Sequence, residues 1–252
     1  MDILQSVIIA IVEGLTEFLP VSSTGHMIIT QNILGVAQGD PFVHAYTFII
    51  QFGAILSVVC LYWKHFFQVR NNAELKQKTR FYWLLDSVWG VAIMLFLGGV
   101  FMLFCDRIFN KGKEENKVNE KRALNIGLFQ CISVIPGVSR SMATIVGGMS
   151  QGLTRKAAAE FSFFLAVPTM AGATLLDLID MFKEDTTWAT ADNMVVLAVG
   201  CVVAFVVALL AMKWFVGFIS KYGFKAFGWY RIVVGLVILV MLMSGVSLQM
   251  VD

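Results

Sequence analysis

Charged side chains are scarce in this sequence. Of its 252 residues only 14% are charged, whereas 58% are hydrophobic and the mean hydropathy is +0.77. Soluble domains carry about 25% charged residues, so the composition excludes an ordinary soluble domain and indicates a membrane protein with several spans. The charges that are present form no basic face of any size, which excludes nucleic-acid binding.

Paired cysteines and a basic amino-terminal segment are also lacking. Cys60, Cys105, Cys131 and Cys201 lie singly, mostly within apolar runs, and no two of them have the spacing of metal ligands. We interpret them as small hydrophobic residues. The chain opens without a basic region and Glu13 interrupts its first apolar run, so we predict no cleavable signal peptide.

Long apolar runs predict membrane-spanning helices. About 20 residues are needed to cross a bilayer, and five stretches are long enough: residues 42–63, 81–104, 157–182, 194–216 and 227–246. Two further regions contain only short apolar pieces. These pieces cover residues 3–18 and 27–33 in the first region, and residues 123–135 and 142–149 in the second.

A polar break separates the short pieces in each region. The first break reads Glu13-Gly-Leu-Thr-Glu-Phe-Leu-Pro-Val-Ser-Ser-Thr-Gly-His26, and the second reads Val134-Ile-Pro-Gly-Val-Ser-Arg-Ser141. Irregular backbone at membrane depth is tolerated only inside protein or beside a wet cavity, and a charge there costs roughly 3 kcal/mol. The pattern predicts two re-entrant, discontinuous helix hairpins that carry the function.

The two breaks also indicate an internal duplication. Pro20 and Pro136 are 116 residues apart, and similar aromatic stretches around Phe48 and Phe163 are 115 residues apart. We predict an all-α polytopic membrane protein with an internal, inverted repeat and about six or seven full spans. It would form one integral membrane domain over residues 1–252, with repeat halves at 1–80 and 121–182 and closing helices at 193–250.

Two acidic residues in the first break share one helix face. Glu13 and Glu17 are four residues apart, which places their Cβ atoms about 6 Å from each other. Such a pair could bind a divalent cation, Mg²⁺ or Ca²⁺, because these ions take oxygen ligands. Alternatively, one of the carboxylates could act as a general base.

Hydroxyl groups and a histidine follow in the same break. Ser22, Ser23 and Thr24 precede a helix whose N-terminal N–H groups can bind an anion. One of the three is expected to cap that helix, and Ser23 is the best candidate to attack or bind a phosphoryl group. His26 is a candidate general acid, base or phosphoryl-accepting nucleophile.

An arginine between two serines marks the second break. Arg140, flanked by Ser139 and Ser141, offers the planar fork of donors that suits phosphate. A purely structural role would require a buried acidic partner, for which Glu160 is the candidate. The combined residues of both breaks suit a phosphate or diphosphate group carried by a lipid.

At these residues the chain resembles the undecaprenyl-diphosphate phosphatase family, which is associated with bacitracin resistance. The resemblance rests on the two breaks and on Glu160-Phe-Ser-Phe-Phe-Leu-Ala-Val-Pro168, and it covers most of the chain. The family's acidic motif falls on Glu13 and Glu17, its serine on Ser23, its histidine on His26 and its arginine on Arg140. Either the serine or the histidine could be the nucleophile.

The resemblance implies an enzyme that removes the terminal phosphate of undecaprenyl diphosphate. The product would recycle as lipid carrier for cell-wall synthesis. It also implies a location in the bacterial inner membrane, a site open to the extracytoplasmic face and support by a divalent cation. The expected partners are the polyprenyl diphosphate substrate and the lipid bilayer, and a homodimer is compatible with this arrangement.

One region departs from the family. Basic residues cluster between positions 64 and 80 and again between 106 and 122, and basic loops prefer the cytoplasm. The family has two spans between these loops, whereas this chain has one. We therefore predict that residues 81–104 do not cross as a plain single helix.

Two other functions compete with the phosphatase. Repeats and broken helices also suit a transporter or flippase for an anionic lipid or small anion. The combination of Glu13, Glu17 and His26 favours chemistry over transport, because transport of an anion needs no acid–base pair. A structural scaffold is disfavoured by two carboxylates beside a run of serines.

Overall fold

The computed structural model describes residues 1–36, 40–61, 87–109, 112–184 and 189–245. Within these ranges the chain is helical and contains no strand. The helices are α1 (Ile3–Thr16), α2 (Ser23–Ile33), α3 (Pro41–Leu61), α4 (Val88–Phe109), α5 (Glu120–Gln130), α6 (Arg140–Ser150), α7 (Arg155–Glu184), α8 (Ala191–Tyr222) and α9 (Lys225–Met243), with a 3₁₀ turn at Cys131–Val134.

Five of these helices are long and apolar enough to cross a membrane. They are α3, α4, α7, α8 and α9, and they coincide with the five predicted spans. The predicted class, an all-α polytopic membrane protein, is confirmed. Six or seven spans were expected, and the described part of the chain contains five.

The first hairpin consists of α1 and α2. A capping box between Asp2 and Gln5 starts α1. Pro20 cannot continue a helix, and Ser22 turns the chain with a φ of 67° before α2 begins. α2 then returns along α1, so that the Gln5 side chain donates to the Leu34 carbonyl at 3.2 Å.

The second hairpin consists of α5, the 3₁₀ turn and α6. Asn119 caps α5, and the helix ladder stops before Pro136 and Gly137, whose φ is +85°. Ser139 caps α6 by accepting from the Met142 N–H. The two arms lie side by side, and Asn125 donates to Gln151 at 2.9 Å.

The two hairpins enter the bundle from opposite ends. α1 runs parallel to α8, because Ser6 bonds the Val196 carbonyl and Gly14, eight residues later, packs on Ala204. α7 returns to the start of α8, and α6 packs antiparallel on α7 through Gly148 and Ala158. α1 and α6 therefore point in the same direction. The tip of the first hairpin lies at the end of α1, whereas the tip of the second hairpin lies at the start of α6. The two hairpins are therefore inverted relative to each other.

α3 and α4 run in the same direction. Tyr46 donates to the carbonyl of Ser6 near the start of α1, and Gln51 borders the same pocket as Glu17, so α3 is parallel to α1. α4 packs antiparallel on α9, with Gly99 against Gly228. α9 itself turns back from α8 at Gly223, which makes α4 parallel to α8 as well.

The prediction for residues 81–104 is therefore wrong in the part that the structure describes. α4 is an uninterrupted helix of 22 residues and is long enough to span. The second half of the chain is not flipped, because α3 and α4 are parallel. Residues 62–86, including the basic stretch up to Arg80, lie outside the described residues.

Positive charge collects at one end of the bundle, where α4 ends and α7 begins. Arg155 forms an ion pair of 2.9 Å with Asp106, which also accepts from the Phe224 N–H. We call this the basic end. Its described cations are Arg107, Lys113, Lys117, Lys121, Arg122, Arg155, Lys156, Lys221 and Lys225. α1, α3 and α8 begin at the opposite end, with Asp2, Asp40 and Asp192.

Candidate active site

The tips of the two hairpins meet through one ion pair. Arg140 Nη2 lies 3.1 Å from Glu17 Oε1, and both side chains are largely buried. The other carboxylate oxygen of Glu17 accepts from Ser23 Oγ at 2.7 Å. Arg140 therefore has a buried acidic partner. This partner is Glu17 of the facing hairpin, and not Glu160, which was the candidate from the sequence. Packing of the two hairpin tips brings Glu17 closer to Arg140 than Glu160 is.

Glu13 lies behind this ion pair. It is fully buried, and neither of its carboxylate oxygens has a hydrogen-bond partner in the described part of the chain. Glu17 follows one helical turn later, so the two carboxyl groups influence each other electrostatically. A buried carboxylate without a partner is strongly unfavourable, so this pair requires a shared proton or a cation.

A polar pocket of about 270 Å³ opens beside the ion pair. Both hairpin tips contribute to its walls, together with α3 and α7. The lining residues are Glu17, Ser22, Ser23, Thr24, Gln51, Ser133, Ile135, Pro136, Gly137, Val138, Ser139, Arg140 and Met170. The sequence prediction included six of them: Glu17, Ser22, Ser23, Thr24, Ser139 and Arg140.

Two helix N-termini border the pocket. α2 starts at Ser23 and α6 starts at Arg140. No side chain caps α2, since Ser22 makes no cap hydrogen bond. The first-turn N–H groups of α2 are therefore available to an anion, which the partial positive charge of a helix N-terminus favours.

A second cavity, of about 120 Å³, adjoins the pocket. Thr24 and Gln51 line both spaces. The second cavity extends along α2 and α3 past Gln31 and Thr47, away from the basic end. Gln31 donates to Thr47 at 3.0 Å, and its buried Oε1 atom has no partner among the residues that the structure describes. This cavity therefore suits water, which can donate to that oxygen.

The amino-acid sequence that forms this site is similar to those of known proteins. The model of the bacitracin resistance protein BacA family matches residues 6–86 and 80–237. The chain belongs to this family. A relative from Porphyromonas gingivalis, named undecaprenyl-diphosphatase, is 52% identical over 98% of this chain and 99% of its own length. Relatives of the same name from Bdellovibrio bacteriovorus and Aquifex aeolicus are 47% and 43% identical, over 100% and 92% of this chain and 100% and 96% of their own lengths.

The alignment of this chain with one BacA-family relative contains gaps in the chain. The alignment with the P. gingivalis relative runs over 280 positions, 28 more than the chain has residues. The two matched parts of the family model meet at residues 80–86. This junction lies between the two basic stretches, where sequence analysis predicts that about one helix and its turn are absent; that absence stays a prediction.

Three predicted site residues of this BacA-family chain do not line the pocket. Glu13 is buried behind Glu17. Ser141 donates to the Leu19 carbonyl at 2.9 Å and so ties the second tip to the first. His26 Nδ1 donates to the Ser22 carbonyl at 2.8 Å, and Tyr230 OH lies 2.6 Å from its Nε2. Because both ring nitrogens have partners, His26 is held behind the first tip; its catalytic role stays a prediction.

Sequence analysis missed several lining residues. Gln51 is on α3, Met170 is on α7 and Ser133 is in the 3₁₀ turn. The signal available for Gln51 was a single amide in a long apolar span, which is costly at membrane depth. Met170 carries no such signal, because methionine is common on any apolar helix face.

Proposed function

We propose that this chain is an undecaprenyl-diphosphate phosphatase, which releases inorganic phosphate and leaves undecaprenyl phosphate for reuse in cell-wall synthesis. The observation that carries the proposal is the Ser23–Glu17–Arg140 arrangement at the edge of the polar pocket. A hydroxyl hydrogen-bonded to a carboxylate beside an anion-binding arginine is the geometry of an activated nucleophile. Membership of the BacA family supports the same reaction.

Charge on the terminal phosphate would be stabilised from two sides. The first hairpin places the N-terminus of α2 at the pocket, and the second hairpin places the N-terminus of α6 and the Arg140 side chain there. Oriented donors of this kind stabilise charge that develops during phosphoryl transfer. Arg140 would exchange part of its contact with Glu17 for the phosphate, which frees Glu17 to accept a proton.

Ser23 is the nucleophile in this proposal. Its Oγ attacks the terminal phosphorus while its proton passes to Glu17 Oε2, 2.7 Å away. The bond from that phosphorus to the bridging oxygen breaks, and polyprenyl phosphate leaves with the proton that Glu17 took from Ser23. Water then attacks the phosphoserine, Glu17 takes the water proton, and it returns this proton to Ser23 Oγ as the Ser23–phosphorus bond breaks and phosphate is released. The second cavity is the route by which water reaches this step.

A divalent cation, Mg²⁺ or Ca²⁺, fits the acidic pair. The two unpartnered oxygens of Glu13 and the adjacent Glu17 carboxylate are hard ligands of the required kind. In the described part of the chain no group of three or more acidic, histidine or cysteine side chains could hold a metal. Water and substrate phosphate would complete the shell, as is usual for Mg²⁺. The ion would supply neutralising charge for the phosphoryl oxygens.

The polyprenyl chain and the bilayer fit one side of the pocket. Ile135, Val138 and Met170 line it beside the polar residues. Ile132 and Val134 of the adjoining turn are exposed, at 49% and 58%, where lipid would cover them. The diphosphate would occupy the polar part of the pocket, and the isoprenoid chain would leave the pocket past these apolar residues. This placement explains why the lining contains both polar and apolar side chains.

The site would face the extracytoplasmic side of the bacterial inner membrane. Basic segments remain in the cytoplasm, which assigns the basic end to the inside. The second cavity extends from the pocket toward the other end of the bundle. Substrate phosphate and water would then exchange with the extracytoplasmic space.

The test is phosphate release from undecaprenyl diphosphate by purified protein in detergent with Mg²⁺. Arg140→Ala is expected to reduce the rate at least about 100-fold, as for loss of a donor to a developing oxyanion. Arg107→Ala removes an exposed arginine at the basic end and should stay within twofold of wild type. Absence of release by folded wild type, or full activity of Arg140→Ala, would reject the proposal.

A further inference from the structure

Arg231 on α9 is completely buried, yet the described residues offer it no carboxylate within 4.0 Å. Its guanidinium donates instead to four backbone carbonyls. Nη1 reaches the Pro20 carbonyl at 3.3 Å and Nη2 reaches the Gly137 carbonyl at 2.8 Å. Nη2 and Nε also reach the carbonyls of Met94 and Leu95 on α4, at 3.2 and 3.4 Å.

The first two acceptors occupy corresponding places in the two hairpins. Pro20 is the break of the first hairpin, and Gly137 follows the proline that breaks the second. Carbonyl groups at such breaks have no partner in a regular helix ladder. An unsatisfied carbonyl in a membrane interior is costly, so one side chain satisfies an orphaned acceptor in each hairpin.

From these contacts we infer that Arg231 is a positioning residue that holds the two hairpin tips together as one phosphate site. Gly137 lines the pocket, and Pro20 lies between Glu17 and Ser22, which also line it. Arg231 thus fixes the separation of the two walls across which Glu17 and Arg140 meet. This inference rests on the proposed function only for its activity readout.

Shape and charge make arginine the suitable residue here. Its rigid fork presents five donors in a plane, and three of its nitrogens serve four carbonyls on three different elements. Lysine has the same charge, but its single nitrogen on a flexible stem cannot bridge acceptors that lie on opposite sides of the fork. If Arg231 has a positioning role, the positive charge of a lysine at this position will not be enough to maintain activity.

Gly98 gives a way to disturb Arg231 without removing it. A Cβ at Gly98 would lie 2.5 Å from Nη2 of Arg231 and 3.1 Å from its Cζ, so Gly98→Ala must displace the guanidinium. Gly98 does not line the pocket. Gly217, also within a long helix, has nothing within 4 Å of such a Cβ, so Gly217→Ala is the matched control.

The experiment compares kcat and KM for phosphate release, together with the thermal unfolding midpoint, for wild type and for Arg231→Lys, Arg231→Met, Gly98→Ala and Gly217→Ala. Positioning predicts that Arg231→Lys and Arg231→Met both lose at least tenfold in kcat. Gly98→Ala should lose several-fold in kcat with its unfolding midpoint near that of wild type, and Gly217→Ala should match wild type.

Two results would overturn the inference. One is a folded Arg231→Lys or Arg231→Met with kcat within twofold of wild type. The other result is a kcat of Gly98→Ala equal to that of Gly217→Ala. This second comparison decides the question if the Arg231 variants do not fold. If folded wild type releases no phosphate, the proposed function fails, and Arg231 is then judged by pyrophosphate binding in calorimetry: weaker binding by Gly98→Ala than by Gly217→Ala supports positioning, and equal binding rejects it.

Discussion

Glu17 and Arg140 are 123 residues apart in the chain, and their side chains meet at 3.1 Å. Each stands at the tip of a different hairpin, and the hairpins enter from opposite ends of the bundle. The ion pair is therefore possible only when both hairpins are inserted to the same depth. The ion pair connects two residues of the proposed mechanism: Glu17, which accepts the proton, and Arg140, which binds the phosphate.

Ser23→Ala removes the proposed nucleophile while leaving the Glu17–Arg140 ion pair in place. We expect phosphate release to fall at least about 100-fold, with an unchanged unfolding midpoint, because a single partly buried hydroxyl is lost. Ser133→Ala, which removes another hydroxyl from the pocket wall, is the control and should lose far less. Equal losses in the two variants would show that Ser23 only binds substrate.

Glu13→Gln tests the cation site. The amide keeps the size of the side chain but lacks the charge that a divalent cation requires. We expect chelator to abolish release by wild type and added Mg²⁺ to restore it, whereas Glu13→Gln should need at least tenfold more Mg²⁺ for half-maximal rate. Glu160→Gln is the matched control. A Mg²⁺ titration of Glu13→Gln that overlays that of wild type would remove Glu13 from the site.

Tyr46→Phe tests a junction remote from the pocket. The Tyr46 hydroxyl is buried, donates to the Ser6 carbonyl and lies 2.8 Å from Ser6 Oγ. Its loss removes this donor from the buried Ser6 carbonyl and a partner from Ser6 Oγ, at a cost of about 1–3 kcal/mol. We expect a lower unfolding midpoint with kcat within twofold of wild type. A large fall in kcat without destabilisation would mean that this junction contributes directly to the site.

Ser22 has a φ of 67°, which few residues other than glycine adopt readily. Ser22→Gly and Ser22→Ala both remove the hydroxyl, but only glycine relieves the backbone. We expect Ser22→Gly to be more stable than Ser22→Ala by about 1 kcal/mol, measured by denaturation in detergent. If alanine proved equal or better, the turn at Ser22 would carry no strain.

The orientation of the bundle can be measured with single cysteines in a background without the four native ones. Lys117→Cys lies at the basic end and Asp40→Cys at the opposite end. Because basic loops stay in the cytoplasm, a membrane-impermeant thiol reagent should label Asp40→Cys in intact cells and Lys117→Cys only after permeabilisation. The reverse pattern would place the site on the cytoplasmic side.

Local sequence signals predicted the hairpins well, because proline, glycine and serine act on their own neighbourhood. The break at Pro136 and Gly137 and the apolar pieces on either side of it correspond to the described hairpin. The role of Arg231 could not be predicted in the same way, since its acceptors lie 94 to 211 positions away. The sequence around it reads as a plain span, and only packing shows which carbonyls it meets.

The prediction for residues 81–104 failed for a related reason. It inferred the path of one segment from the charge of two loops, on the assumption that consecutive spans alternate in direction. Parallel packing of α3 and α4 against the rest of the bundle is set by distant contacts such as Gly99 with Gly228. Loop charge carries no information about those contacts.

The inverted hairpins have a consequence for biogenesis. A ribosome completes the first hairpin, with Glu13 and Glu17, long before it reaches Arg140 and Arg231. Until those residues arrive, Glu17 lacks the arginine with which it pairs in the folded protein, and burial of unpaired acidic groups is unfavourable. We therefore expect stable insertion of the first hairpin to follow synthesis of the second half of the chain, and nascent chains that stop short of residue 140 to be degraded faster than the full chain.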